Sequence, residues 1–171
     1  MLRVALRQVG VPGMVADAAA LPLRDACLDA VVANHMLYHV SDRTRALTGI
    51  RRVLRPGGRL YATTNGLAHM AELRGPLGQS GWSEAASFGL ENGPAQLAAV
   101  FGTVTVRRYP DALEVSEVEP VLAYARSMAG LTAVRPDGLA RLEAVASAAI
   151  RARGRFRISK DVGMLIADRG R

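Results

Sequence analysis

The sequence predicts an α/β fold, and three observations carry that expectation. Helix-period and strand-period apolar patterns alternate through most of the 171 residues, as in sheets covered by helices. Leu28-Asp29-Ala30-Val31-Val32-Ala33-Asn34 is short, β-branched at its centre and polar at its end, the mark of a buried strand. Pro56-Gly57-Gly58 then separates a helical pattern from the next strand pattern, since proline cannot continue a helix ladder and glycine accepts the turn.

The elements follow in order. Leu2, Leu6 and Val9 share one face of an opening helix, broken at Gly10 and Pro12-Gly13. Met14 to Asp17 reads as a short buried strand ahead of the one at Leu28–Asn34. Ser41 or Asp42 caps a helix whose Leu47, Ile50 and Leu54 share a face. Arg59 to Thr64 forms the following strand, ended by Asn65-Gly66. Leu67 to Leu73 looks helical, and Gly75 to Ser83 reads as a loop around Trp82. Asn92 caps a helix through Phe101, with Pro94 in its first turn and Gly102 behind it. Val104 to Tyr109 alternates as a strand, and Ser116 to Glu119 has capping-box spacing before a helix carrying Val118, Val121, Leu122 and Ala125. Asp137 opens a last helix, Leu139 to Arg153, closed by Gly154. Phe156 to Ser159 and Gly163 to Ala167 read as two final strands. The expected assembly is a mainly parallel sheet with helices on both faces and an antiparallel edge built by the last strands.

Composition narrows the function classes. Half of the residues are hydrophobic, enough for a real core in a single domain spanning residues 1–171. Cys27 is the one cysteine, which excludes an intrachain disulfide and a multi-cysteine metal centre and suits a reducing cytoplasm; no metal is expected. No apolar run reaches the ~18 residues of a membrane span, and Arg7 and Gln8 interrupt the N-terminal apolar stretch, so it makes a poor signal peptide. The formal charge of +7 is carried by arginine, with Lys160 the single lysine. Apart from Arg151, Arg153, Arg155, Arg157 and Lys160 the basic residues are scattered, which favours a solvated rim over a nucleic-acid patch.

Four segments in order resemble the small-molecule methyltransferases that bind S-adenosylmethionine, the type 11 group in particular. They are Ala16-Asp17-Ala18-Ala19-Ala20-Leu21-Pro22-Leu23, Leu28 to His35 ending in Asn34-His35, Leu37-Tyr38-His39-Val40, and Val53-Leu54-Arg55-Pro56-Gly57-Gly58-Arg59-Leu60. Each is weak alone; their order and spacing are specific, and the best-matching core is 11–65. The resemblance implies a Rossmann-like sheet with ligands at the carboxyl ends of its strands. It implies that Asp17 and the Ala18 backbone grip adenine, and that Asn34 holds the methionine part of the cofactor. His35 would orient or deprotonate a small-molecule methyl acceptor, having a suitable pKa. Tyr38 and His39 would cover the pocket or buttress Asn34. Trp82, Glu91 and Asn92 are candidates for the acceptor pocket, together with Phe88, whose size suits core packing better.

One departure from the family is large. No Gly-x-Gly-x-x-Gly occurs anywhere, and Met1-Leu2 matches the start of the helix after the family's second strand. The resemblance therefore implies an N-terminally truncated domain lacking the first strand–helix–strand unit, whose strands would lie between Met14–Asp17 and Leu28–Asn34. Two alternatives stand beside the enzyme: a non-catalytic remnant or interaction domain, and a basic nucleic-acid-binding module using arginines 151 to 157. Oligomeric state and acceptor are open.

Overall fold

The computed structural model describes residues 12–79, 87–128 and 135–171, so the expected opening helix and Trp82 lie outside the described residues. In chain order it has strand β1 (Leu28–Asn34), a 3-10 turn (Leu37–His39), helix α1 (Arg43–Val53), strand β2 (Leu54–Asn65), helix α2 (Ala71–Arg74) and helix α3 (Gly93–Phe101). Strand β3 (Val104–Val115), helices α4 (Val118–Met128) and α5 (Gly138–Arg153), and strand β4 (Phe156–Asp168) complete it. The described strands form a four-stranded sheet in the order β1-β2-β4-β3.

The sheet corrects three expectations. Only β1 and β2 pair in parallel; β4 is antiparallel to both β2 and β3, so the sheet is not mainly parallel. The two final strand signals are one strand, because Lys160, Asp161 and Val162 keep pairing with Asp111, Pro110 and Tyr109 despite their polar composition. That strand lies inside the sheet, and β3 takes the edge. Met14 to Asp17 is not a strand: Met14 is 58% and Val15 86% exposed. A short apolar run becomes a strand only where another strand pairs with it, and no described strand does.

Local chemistry explains the boundaries. The Asp42 side chain accepts a hydrogen bond from Arg45 N at 3.0 Å and caps α1. The chain passes straight from Val53 into β2, and Pro56-Gly57-Gly58 becomes a bulge within that strand. Gly57 has φ +77°, and a Cβ on Gly58 would lie 2.9 Å from Arg55 O and 3.0 Å from Asp29 O. The bulge slips the register, so that Leu28 faces Leu54 while Ala30 faces Arg59.

Side chains directly opposite each other in a sheet share a face, and here the two faces carry separate cores. Leu165 and Ala167 join Leu60, Ala62 and Ala33 beneath Leu47 and Ile50 of α1 and Leu97 and Phe101 of α3. Phe156 and Ile158 point the other way and meet Leu73 of α2, Val121 and Ala125 of α4, and Leu142 and Ala146 of α5. Helices thus cover both faces, as expected, but at different heights. The second core lies beyond the end of β2, which stops at Asn65 opposite Val162. Over β1 no described helix covers the second face, and Val32 is 63% exposed.

Glu72 ties α2 to β4. Its carboxylate accepts from Ser159 N at 2.9 Å and Ser159 Oγ at 2.6 Å, and Met70 N donates to Ser159 O at 2.9 Å. Burial alone would raise the Glu72 pKa, but the Ser159 bonds outweigh it and hold it below the usual value. Glu72→Ala should therefore cost about 1.5–3 kcal/mol in urea unfolding at neutral pH, and a change smaller than about 0.5 kcal/mol, the usual range of neutral surface substitutions, would show that the contact does not anchor the helix.

Candidate functional site

β1 and β2 end side by side at Asn34 and Asn65, and the carboxyl ends of parallel strands are where open α/β sheets bind ligands. β3 and β4 run past this edge as a two-stranded tongue, Pro110 to Val115 paired with Asp161 to Phe156. Between the strand ends and the tongue lies an open chamber of about 520 Å³. His35, Tyr38 and Asn65 line it from the sheet, His69 from the turn before α2, and Tyr109, Asp111, Lys160 and Val162 from the tongue.

His35 is the strained point of the site. Its φ of +47° is left-handed, uncommon for a non-glycine residue. Its N–H donates to Thr63 O at 3.1 Å and Thr63 Oγ1 at 3.2 Å. Thr63 Oγ1 in turn donates to Asn34 Oδ1 at 3.2 Å, leaving the Asn34 amide N–H groups on the exposed side. Strain held in place by such bonds collects at functional sites. Burial lowers the His35 pKa. Burial also lowers that of His69, partly offset by the Asp161 carboxylate. Both imidazoles are therefore mainly neutral near pH 7. Lys160 Nζ donates to Asp111 Oδ2 at 2.8 Å, and this bond holds the Asp111 carboxyl below its usual pKa.

The sequence candidates separate into groups. His35 and Tyr38 line the chamber together, Asn34 is bonded to Thr63 at the strand end outside its lining, and His39 packs edge-on against Tyr38 with ring centroids 4.5 Å apart. Asp17 and Ala18 sit on an exposed turn in which Asp17 Oδ1 accepts from Ala19 N at 2.8 Å and Asp17 O from Ala20 N at 3.0 Å. Arg52 holds the following loop through Leu21 O, Leu23 O and Asp25. Glu91 bridges Leu67 N at 3.2 Å and Arg108 at 3.1 Å. Asn92 Oδ1 accepts from Gly89 N at 2.8 Å instead of capping α3. Neither Glu91 nor Asn92 lines the chamber. Phe88 is fully buried in the first core with the Arg43 guanidinium 5.5 Å above its ring. Of the basic run, Arg155 and Arg157 both pair with Glu114. Asn65, His69, Tyr109, Asp111 and Lys160 were missed by sequence reasoning; the single lysine and the third histidine were the available signals.

A family model described as a methyltransferase domain matches residues 1–62. Over those residues the chain is similar to a methyltransferase domain. It is 50% identical over 52 residues to the ubiquinone/menaquinone biosynthesis C-methyltransferase UbiE of Acidiphilium cryptum, covering 30% of this chain and 21% of that protein. It is 46% identical over 68 residues to a malonyl-[acyl-carrier protein] O-methyltransferase of Methylococcus capsulatus, covering 38% and 25%. The chain thus spans about a quarter of the length of the curated relatives it matches. Among solved structures it superposes on a proposed methyltransferase from an antibiotic biosynthesis pathway of Anabaena variabilis. That match has a TM-score of 0.61 and 18% identity, over 96% of this chain and 78% of that one. The family match ends within β2, so the tongue, α4 and α5 lie outside it.

The residues present fit part of the family's cofactor. The exposed Asp17 carboxylate and the Asn34 amide can offer an acceptor and donors, whereas a Gly-x-Gly-x-x-Gly loop is not in the sequence. Among the described residues no cluster of His, Cys, Asp and Glu could hold a metal ion, and no helix is long and apolar enough to cross a membrane.

The histidines set a pH dependence. With both pKa values lowered in the folded chain, the unfolded chain binds more protons below about pH 6.5. Their contribution to stability is full above that pH and is lost as pH falls through the lowered values. The melting temperature should drop between about pH 7.5 and about pH 5.5, and His69→Gln should flatten the drop; an unchanged slope in that variant would contradict the assignment.

Proposed function

We propose that this chain forms the acceptor side of a methyltransferase that moves a methyl group from S-adenosylmethionine to a small molecule. The observation that carries the reading is the chamber at the ends of β1 and β2, with the strained His35 at its rim. When bound, the cofactor supplies a methyl group already activated on a sulfonium, so positioning the acceptor matters more than strong base catalysis. Asn34 would hold the methionine part of the cofactor through its amide, and Asp17 with the Ala18 backbone would hold adenine. His35, kept neutral by burial, would orient the acceptor or take its proton. Tyr38 closes the wall beside it. The exposed Val32 on β1 supports a second reading, a non-catalytic domain that associates with another chain.

Cofactor binding by these 171 residues should be weak. The glycine-rich loop and ribose carboxylate of the family have no counterpart in the sequence, which removes two or three good hydrogen bonds, one of them charge-assisted. That loss costs ~3–6 kcal/mol, enough to move micromolar affinity to about millimolar or weaker. Isothermal titration of the protein with S-adenosylmethionine should show no saturation in the micromolar range. Low-micromolar binding would mean that residues other than a glycine-rich loop hold the cofactor.

A further inference from the structure

We propose that the groove between α5 and the far end of the tongue is a second ligand site that takes a single-chain carboxylate, its carboxylate on Arg153 and its alkyl chain along α5. The groove is an open cavity of about 870 Å³. None of its lining residues lines the chamber at the strand ends. The two spaces are distinct, and binding in the groove is independent of the methyltransferase reading.

The order of residues along the chain sets its two ends. Val145, Ala148, Ala149 and Ala152 of α5 line one wall, because their spacing places them on one helix face. Pro76 and the buried Phe156 complete the apolar lining. At about 1.5 Å per residue this wall is about 10 Å long, the reach of an extended chain of roughly eight carbons. Ala148 and Ala152 are exposed and Val145 is 46% exposed, so the wall is open to an apolar ligand. α5 then ends at Arg153, and the chain turns at Gly154, with φ +74°, into Arg155 and Arg157. All three arginines line the groove. One end is hydrocarbon and the other is cationic.

Charge decides the head group. Against the three guanidinium groups stand two carboxylates, Glu72 and Glu114. Both are already bonded: Glu114 accepts from Arg155 at 3.0 Å and Arg157 at 2.9 Å, and Glu72 accepts from Ser159. Arg153 makes no ion pair among the described residues. The surplus of one positive charge fits a monoanion, and the planar fork of Arg153 fits a carboxylate through paired hydrogen bonds. The dipole at the end of α5 opposes an anion by about half a charge, less than that surplus. The formal charge of +7 works against a second copy of the chain as the occupant.

The test is calorimetric titration of the 171-residue protein with hexanoate, heptanoate and octanoate, each below its micelle concentration, beside octanol and octyltrimethylammonium. Affinity should rise about fourfold per methylene from hexanoate to octanoate. Octanol should bind about tenfold more weakly than octanoate, equivalent to one lost charge-assisted hydrogen bond, and the cation should not bind. Arg153→Gln should weaken octanoate about tenfold and leave octanol unchanged. Ala148→Glu, at an exposed helix position where an unchanged far-ultraviolet spectrum can verify folding, should remove the length dependence. No length dependence in the unmodified chain, equal binding of octanoate and octyltrimethylammonium, or an unaltered series in both variants would overturn the proposal.

Discussion

The position and length of β4 govern the rest of the molecule. It runs antiparallel between β2 and β3, pairing with β2 from Asp168 to Val162 and with β3 along Phe156 to Ala167. Because β2 stops at Asn65, β3 is the one described strand that pairs with the first part of β4. That mismatch creates the tongue, and the tongue turns an open strand edge into a chamber. A shorter β4 would leave His35 and Asn65 facing solvent with nothing opposite them.

A two-stranded ribbon is marginal by itself, so the tongue needs support. The second core supplies most of it, through Phe156 and Ile158 packed against α4 and α5. Polar contacts then fix its position. Gly66 approaches Asp161 so closely that any Cβ would collide with the carboxylate, and Gly66 N donates to Asp161 O at 2.9 Å. Asp161 also accepts from Arg108, whose other nitrogen reaches Glu91. These ion pairs are half-exposed and worth about 1 kcal/mol or less each; their value is in register. Glu91, a candidate for the acceptor pocket, takes part in this network.

Much of the architecture was legible in the sequence because local rules were obeyed. The strand at Leu28–Asn34, the Asp42 cap, the Gly102 and Gly154 helix ends and the order of helices follow from periodicity and turn chemistry. Errors arose where pairing overrode composition. Met14 to Asp17 has the apolar pattern of a strand but no described partner, while Lys160-Asp161-Val162 has a polar pattern and pairs throughout. His35 and Tyr38 could be found because their segment resembles the family. His69, Asp111 and Lys160 could not, since their role depends on a tongue outside the family match, built by residues far apart in sequence.

The central claim is that His35 at the sheet edge and His69 below the tongue face one shared chamber. The chain has three histidines, so their imidazole resonances can be followed one by one by NMR while phenol, a probe small enough for the chamber, is added. A shared chamber predicts that the His35 and His69 signals shift together with a single midpoint. Movement of one without the other, or distinct midpoints, would show that the strand ends and the tongue do not enclose a common site.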